Sequence, residues 1–262
     1  HSLAVQRHQI DADDLLEMYL TALAHSFDPH SDYMSPQSQE NFRIQMGLKL
    51  EGIGAALRQQ DGDTVVERLV PGGPAEKGGR LKVGDKIVGV GQGVDGPVQD
   101  VVEMKLSEVV RLIRGKPGTV VRLEVISGKE KKIIPITRDS VEMKDSEARA
   151  KIFPAGRRPD GKPFQVGVIE LPSFYMDMEA ARSGASDFKN ATSDVRRILE
   201  DFNRRGVDGL VLDLRRNGGG SLPEAINLTG LFLDEGPIVQ VKGSDGRVQP
   251  HDDDGRTAVW KK

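Results

Sequence analysis

Two hydrophobic periods divide this chain. Near the start, Leu15, Leu16, Met18, Tyr19, Leu20, Ala22 and Leu23 recur at mixed three- and four-residue spacing, which predicts a helix over 3–27 with Asp13 or Asp14 opening its apolar run. It stops near Phe27-Asp-Pro29, because proline disfavours helix at the residue before it. Ser38–Met46 predicts a second, shorter helix. From Leu48 the period falls to two. Leu48–Leu57 alternates and carries Gly52 and Gly54, Thr64–Val70 is a strand, and Pro71-Gly-Gly-Pro74 is a turn that opens a short helix at Ala75–Gly78. Val83–Val90 is a turn plus strand. Ser107 is the expected cap of a helix bearing Val109, Val110, Leu112 and Ile113, closed by Gly115-Lys-Pro-Gly118. Thr119–Ile126 and Lys132–Arg138 form a hairpin across Ser127-Gly128.

Residues 140–163 are rich in charge, proline and glycine and are expected to be a connector with a long hairpin tip or an exposed loop. Phe164–Leu171 is then a strand. Val195, Ile198, Leu199 and Phe202 mark a helix that starts near Asp187 or Ser193 and ends at Gly206, a suitable residue just past a helix end. Leu210–Leu214 is the next strand, Ser221–Phe232 a helix and Pro237–Val241 a strand. Strand, helical crossover and strand make a parallel unit, so the last hundred residues predict an α/β layer with a largely buried parallel sheet. The expected organisation is α+β and α/β, multidomain: a helical segment 1–47, a β-rich domain 48–139, the connector 140–163 and an incomplete α/β core 164–262.

Composition narrows the chemistry. The net charge is −3, with 37 basic against 40 acidic residues and no basic stripe, which argues against nucleic acid as a partner. Without cysteine there is no disulfide and no thiolate catalyst or metal ligand. No apolar run reaches the roughly 18 residues needed to span a membrane, and no cofactor is implied. Asp28, His30 and Asp32 alternate as metal ligands can, but they read more simply as a polar loop. The one histidine of the α/β half, His251, sits in an expected acidic loop, Asp252-Asp-Asp254, and builds no triad.

The most informative stretch is Gly209-Leu-Val-Leu-Asp-Leu-Arg-Arg-Asn-Gly-Gly-Gly220, followed by Ser221-Leu-Pro-Glu224. Ser221 suits a helix cap, and Glu224 three residues on completes a capping box. Strand, glycine turn and helix start point several N–H groups at one spot that suits an anion. Three readings compete: a phosphate site, a turn that merely packs helix on sheet, and an oxyanion hole for acyl transfer. Neither phosphate signature fits, since there is no Gly-Lys-Ser/Thr and no third spaced glycine.

The stretch Leu50–Arg138 resembles a PDZ domain. The residues that carry this are Gly52-Ile-Gly-Ala55 in place of the family's Gly-Leu-Gly-Phe loop, Gly73-Pro-Ala75, and Leu81-Lys-Val-Gly-Asp-Lys-Ile-Val88, with Leu106–Arg114 standing where the groove helix belongs. The resemblance implies a peptide pocket built from Gly52, Ile53, Gly54 and Ala55, with Leu106, Val109, Val110 and Ile113 from the helix. The loop N–H groups would take a terminal carboxylate and the following strand would pair with the peptide.

A PDZ domain followed by Asp213-Leu-Arg-Arg-Asn-Gly-Gly-Gly220 resembles the carboxyl-terminal processing, or tail-specific, serine protease family. Asp28-Pro-His30, Leu50-Glu-Gly-Ile-Gly54, Gly91-Gln92 and Gly236-Pro-Ile-Val-Gln-Val241 are similar to its long bacterial, periplasmic branch. The resemblance implies a Ser-Lys endopeptidase of the periplasm or cell envelope that takes protein or peptide substrates with apolar C-termini, with an adaptor protein as a further partner to consider. The oxyanion donors it implies are Gly219 first, then Gly218 and Gly220. In that family the serine and lysine lie in later motifs, which do not occur before Lys262, so the chain is expected to lack the dyad and to be inactive as it stands. The alternative is a non-catalytic PDZ scaffold that binds peptides.

Overall fold

The computed structural model describes residues 10–253 and 258–260. Its chain forms two compact units, one of residues 1–40 and 49–143, the other of residues 41–48 and 144–262.

In the first unit, α1 (Ala12–Phe27) is capped by Asp11, whose carboxylate accepts from the Asp14 N–H while Asp14 reaches back, so Ile10 and Asp11 of the expected helix 3–27 lie before it. The expected residues 3–9 of this helix lie outside the described residues. No apolar position of α1 is fully buried, and several are open to solvent, Tyr19 at 68% and Phe27 at 85%. Helix α2 (Pro36–Gly47) follows. The β-rich part runs β1 (Lys49–Gly52), β2 (Ala55–Gln60), β3 (Asp63–Leu69), α3 (Pro74–Gly78), β4 (Lys86–Gln92), β5 (Val98–Asp100), α4 (Leu106–Ile113), β6 (Val120–Ser127), β7 (Glu130–Thr137) and β8 (Asp139–Glu142). The main sheet has the order β2-β3-β4-β6-β7, with β5 also on β4, and β1 pairs separately with β8. Its core is aliphatic, with Val66, Ile87, Val101, Val109, Val121, Leu123 and Val125 each no more than 1% exposed. Each such side chain contributes about 1.5–3 kcal/mol by leaving water. Helix α4 begins at Leu106 behind Lys105, which makes no side-chain cap bond. The expected cap Ser107 therefore lies inside the helix.

In the second unit, β9 (Arg149–Ala155) and β10 (Phe164–Glu170) are an antiparallel hairpin, so 140–163 carries strand β8, strand β9 and the hairpin tip. Strand β11 (Gly209–Asp213) pairs parallel with β10, Val166 facing Gly209 and Glu170 facing Asp213. A short helix not expected from the sequence, α5 (Met178–Arg182), precedes α6 (Ala191–Arg204). Asn190, not Asp187 or Ser193, caps α6, accepting from the Ser193 N–H at 2.7 Å. Helix α7 (Leu222–Thr229) is capped by Ser221 and is shorter than expected. The alternation then stops. Strands β12 (Gly236–Lys242) and β13 (Val248–Asp253) form their own antiparallel pair, because the Gly243–Gly246 turn, with Gly243 N–H donating to Arg247 O, reverses the chain at once. His251 therefore lies in a strand, not in an acidic loop. Asp254, Lys261 and Lys262 lie outside the described residues.

Candidate functional site

The first candidate site lies along β2. In the main sheet β2 and β7 end the strand path, with β5 a short further edge on β4, and the β2 and β7 edges differ. On β7, Pro135 has no N–H to offer and its carbonyl already accepts from Arg80 Nη2 at 2.8 Å. On β2 there is no proline, and the strand bonds to β3 alone. At its start the chain turns through Gly54, whose φ is +71°. A Cβ there would stand 3.2 Å from Gly73 Cα and 3.3 Å from Val141 Cγ2, so glycine is required twice over. The carbonyls of this loop are committed inward, Ile53 O to the Ala75 N–H and Gly54 O to the Val70 N–H, each at 2.8 Å. The N–H groups of Ile53 and Gly54 find no acceptor among the described residues. Two adjacent amides without partners are what a carboxylate needs.

Helix α4 flanks this edge. Of the four helix residues expected to line the groove, Val109 and Ile113 are core residues at 0% and 3% exposed, while Leu106 and Val110 are half-buried and remain within reach of a ligand. Ile53 is buried in the same core and Ala55 is half-buried. The end of α4 is braced by Arg138, which the sequence reading passed over. Its Nε donates to Ile113 O at 2.8 Å, and Nη2 donates to Leu112 O at 3.1 Å and Gln92 Oε1 at 2.7 Å. Gln92 Nε2 adds a bond of 2.8 Å to Leu112 O. Burial lowers the Arg138 pKa from its ordinary value. The signal was available in the sequence: Ile134, Ile136 and Arg138 share one face of an alternating run, and all three are buried.

The second candidate site is the glycine turn after β11. Asp213 ends the strand and accepts from the Arg215 N–H, Nε and Nη2 at 3.1, 2.9 and 2.7 Å, which holds its carboxyl down at about 2. A cavity lined by Arg149, Glu170, Pro172, Asp213 and Arg216 opens here, at the carboxyl ends of β10 and β11. Asn217 ties the turn down at both ends of its amide, Nδ2 donating to Leu171 O at 3.0 Å and Oδ1 accepting from the Gly219 N–H at 2.8 Å. The Gly218 N–H donates to Pro172 O at 3.3 Å. Phe174 and Gly220 form a parallel bridge, with Phe174 N–H to Gly219 O and Ser221 N–H to Phe174 O, both 2.9 Å. Of the three glycine amides expected as donors, Gly218 and Gly219 are thus engaged. That of Gly220 has no acceptor among the described residues.

Glu224 does not close the expected capping box. Its carboxylate accepts instead from Thr192 N–H at 2.9 Å and Thr192 Oγ1 at 2.7 Å, joining the starts of α6 and α7 while only 3% exposed. Nearby, Tyr175 donates to Asp194 at 2.6 Å, and Lys189 pairs with the same carboxylate at 2.8 Å. Desolvation pushes the Tyr175 phenol up to about 12. The Asp28–Asp32 stretch is a loop in which Asp28 accepts from the His30 N–H at 3.1 Å and Asp32 from Thr21 Oγ1 at 2.9 Å.

Known proteins match this layout in order. Residues 1–37 match the Tail specific protease N-terminal domain, 39–126 the PDZ domain and 165–262 Peptidase family S41. The chain belongs to the carboxyl-terminal processing, tail-specific protease family. A tail-specific protease of Haemophilus influenzae is 39% identical, matching 100% of this chain and 35% of that protein. A carboxy-terminal processing protease of Bacillus subtilis is 31% identical over 90% of this chain and 45% of its own length. The chain thus spans less than half the length of either relative. Among solved structures, the PDZ domain of a carboxy-terminal protease from Vibrio cholerae, in complex with peptide, is 44% identical. It covers 36% of this chain and 99% of that one, with a TM-score of 0.35. The family and the mixed α/β architecture with a PDZ domain agree with the sequence resemblance. Among the described residues, no helix is long and apolar enough to cross a membrane.

Proposed function

We propose that this chain supplies substrate capture and part of the oxyanion site to a serine endopeptidase of the Ser-Lys type. The observation that carries the reading is the open edge of β2, which begins at a loop with two uncommitted N–H groups. A peptide with a free C-terminus places its carboxylate on Ile53 and Gly54, adds as a strand to β2, and rests its last apolar side chains on Ala55, Leu106 and Val110. Substrates are proteins or peptides with apolar C-termini. A bacterial periplasm or cell envelope is the compartment this reading implies, and an adaptor protein is compatible with it.

The S41 match over 165–262 supports the catalytic half. The tetrahedral intermediate of acyl transfer carries a negative oxygen, and amides fixed before the reaction stabilise it without reorganisation. Of the candidate donors, Gly220 has the amide that is not already committed, while Gly219 would first have to be released by Asn217. In a Ser-Lys pair the lysine must be neutral to take the serine proton. Lowering its pKa from about 10.4 towards 7–8 costs about 4 kcal/mol, which only a desolvated site supplies.

The test is cleavage of a carrier protein by the complete protein that contains this chain. The carrier ends either in three apolar residues or in two aspartates. The apolar-tailed carrier is expected to disappear faster. Equal rates would remove tail capture, and no cleavage of either carrier would remove the peptidase reading.

A further inference from the structure

The peptide unit between Gly219 and Gly220 carries both the Gly219 carbonyl and the Gly220 N–H. A trans peptide is planar, so these two groups point in opposite directions. Whatever fixes the carbonyl therefore aims the amide. The carbonyl is fixed by the Phe174 N–H, which donates to it at 2.9 Å. Turning the unit over would break that bond and bring one N–H donor round to face another, leaving both without an acceptor.

Phe174 belongs to a strap, residues 171–177, that is tied on two sides. Its first half holds the turn: Leu171 O accepts from Asn217 Nδ2, Pro172 O from the Gly218 N–H and Phe174 O from the Ser221 N–H. Its second half is tied around the start of α6, where Tyr175 O accepts from the Ala191 N–H and the Asp177 N–H donates to Lys189 O, both at 2.9 Å. The pivot between the halves is Tyr175, directly after Phe174 and 0% exposed. Its hydroxyl donates to Asp194 of α6 at 2.6 Å and accepts from the Ala148 N–H at 3.1 Å. Asp194 is held in turn by Lys189 at 2.8 Å and by Arg197. A buried phenol bonded on both sides cannot shift without stranding its partners.

We propose that Tyr175 is a positioning residue of the oxyanion site: its bond to Asp194 holds the Phe174 strap in place, and the strap keeps the Gly219–Gly220 peptide turned so that the Gly220 N–H stays on offer. Tyr175 is enclosed and acts only through Phe174. The inference rests on the reading of Gly220 as an oxyanion donor, and the experiment separates the two.

The complete protein that contains this chain is compared as wild type, Tyr175→Phe and Arg158→Gln. Tyr175→Phe keeps the ring and removes the hydroxyl. Arg158→Gln breaks the pair with Asp208 at the β9–β10 hairpin and is the control for lost stability. Each is checked by circular dichroism and thermal melting. The readouts are kcat and KM on the apolar-tailed carrier, and affinity for a peptide boronic acid, whose boron becomes tetrahedral and negatively charged on a serine hydroxyl. Tyr175→Phe is expected to lower kcat about 10- to 100-fold and to weaken the boronic acid by a similar factor, with KM within about 2-fold. Arg158→Gln is expected to leave all three unchanged. If wild type binds the boronic acid no better than the matching peptide amide, the oxyanion reading fails and this inference falls with it. If wild type prefers the boronic acid and folded Tyr175→Phe keeps the wild-type kcat, only the role of Tyr175 is overturned. A kcat loss that Arg158→Gln shares at an equal loss of melting temperature overturns it as well. Should Tyr175→Phe not fold, amide exchange in the wild-type chain replaces it: the Phe174 N–H is expected to exchange about 10-fold or more slowly than the Gly220 N–H, and equal rates overturn the lock.

Discussion

Replacing the three glycines of the turn by alanine, one at a time, should separate them sharply. A Cβ on Gly220 would stand 2.4 Å from Phe174 O, 2.7 Å from its C and 2.9 Å from its Cα. All three are backbone atoms of the bridging partner, so no side chain can swing aside. Relief requires moving Phe174 away, which breaks its two bonds to Gly219 O and the Ser221 N–H. Each is worth about 0.5–1.5 kcal/mol net. Alanine at a φ of +145° adds strain of about 1–3 kcal/mol. Gly220→Ala should therefore destabilise the second unit by about 2–6 kcal/mol. Gly219 has a φ of +100° but open space around it, so its cost is the strain alone, about 1–2 kcal/mol. Gly218 has open space and an ordinary backbone, and Gly218→Ala should stay within about 0.5 kcal/mol. The assay is urea unfolding read by tryptophan fluorescence. The single tryptophan, Trp260, is buried in this unit and bonded to Leu231 O, so its signal reports this unit and not the PDZ domain. Equal midpoints for Gly218→Ala and Gly220→Ala would refute the close-approach reasoning.

Three further outcomes are expected. Arg138→Met removes donors that hold the end of α4 and strips the Ile113 carbonyl of its Arg138 bond, while Leu112 O keeps Gln92; it should cost the PDZ unit about 2–4 kcal/mol and speed amide exchange in α4 first, and unchanged exchange there would count against the brace. Glu224→Ala strands the Thr192 donors and should cost about 2–3 kcal/mol, whereas Glu224→Gln keeps an acceptor and should cost under half as much, a ratio that fluorescence melts of both variants would check. Burial raises the Tyr175 pKa from 10 to about 12, so the folded state favours the neutral phenol. Its stabilisation is whole below pH 10, and is lost as pH climbs from 10 to 12. Absorbance titration should find one of the three tyrosines ionising late, together with loss of structure, and three tyrosines ionising together near pH 10 would contradict it.

How much of this was legible in the chain depended on the period. The PDZ strands could be read because alternation and glycine turns are local signals, and Gly54 and Gly128 occupy the turns their spacing suggested. The parallel pair β10–β11 was legible because a helix-length crossover separates the two strands. What escaped was set by tertiary partners. Glu224 has the spacing of a capping box, yet Thr192, thirty-two residues away, offers its carboxylate two donors at once. Pro237–Val241 looks like one more strand of an alternating layer, and only the glycines after it decide that it turns back on β13. Val109 and Ile113 carry the same apolar pattern as Leu106 and Val110, and a one-dimensional pattern does not say which pair faces the core. The engaged amides of Gly218 and Gly219 depend on Pro172 and Asn217 and have no signature in the glycine run.

The unequal edges of the PDZ sheet bear on stoichiometry. A sheet open on both sides could accept an extended chain at each edge, and one bound strand could seed the next copy into a growing stack. Pro135 and Arg80 interrupt the β7 side, so such growth is hindered there. On the proposed reading, a tail added at β2 is then not propagated through the β7 side. If β2 holds a substrate tail as proposed, the interrupted β7 edge keeps the bound strand from seeding an aggregate on that side.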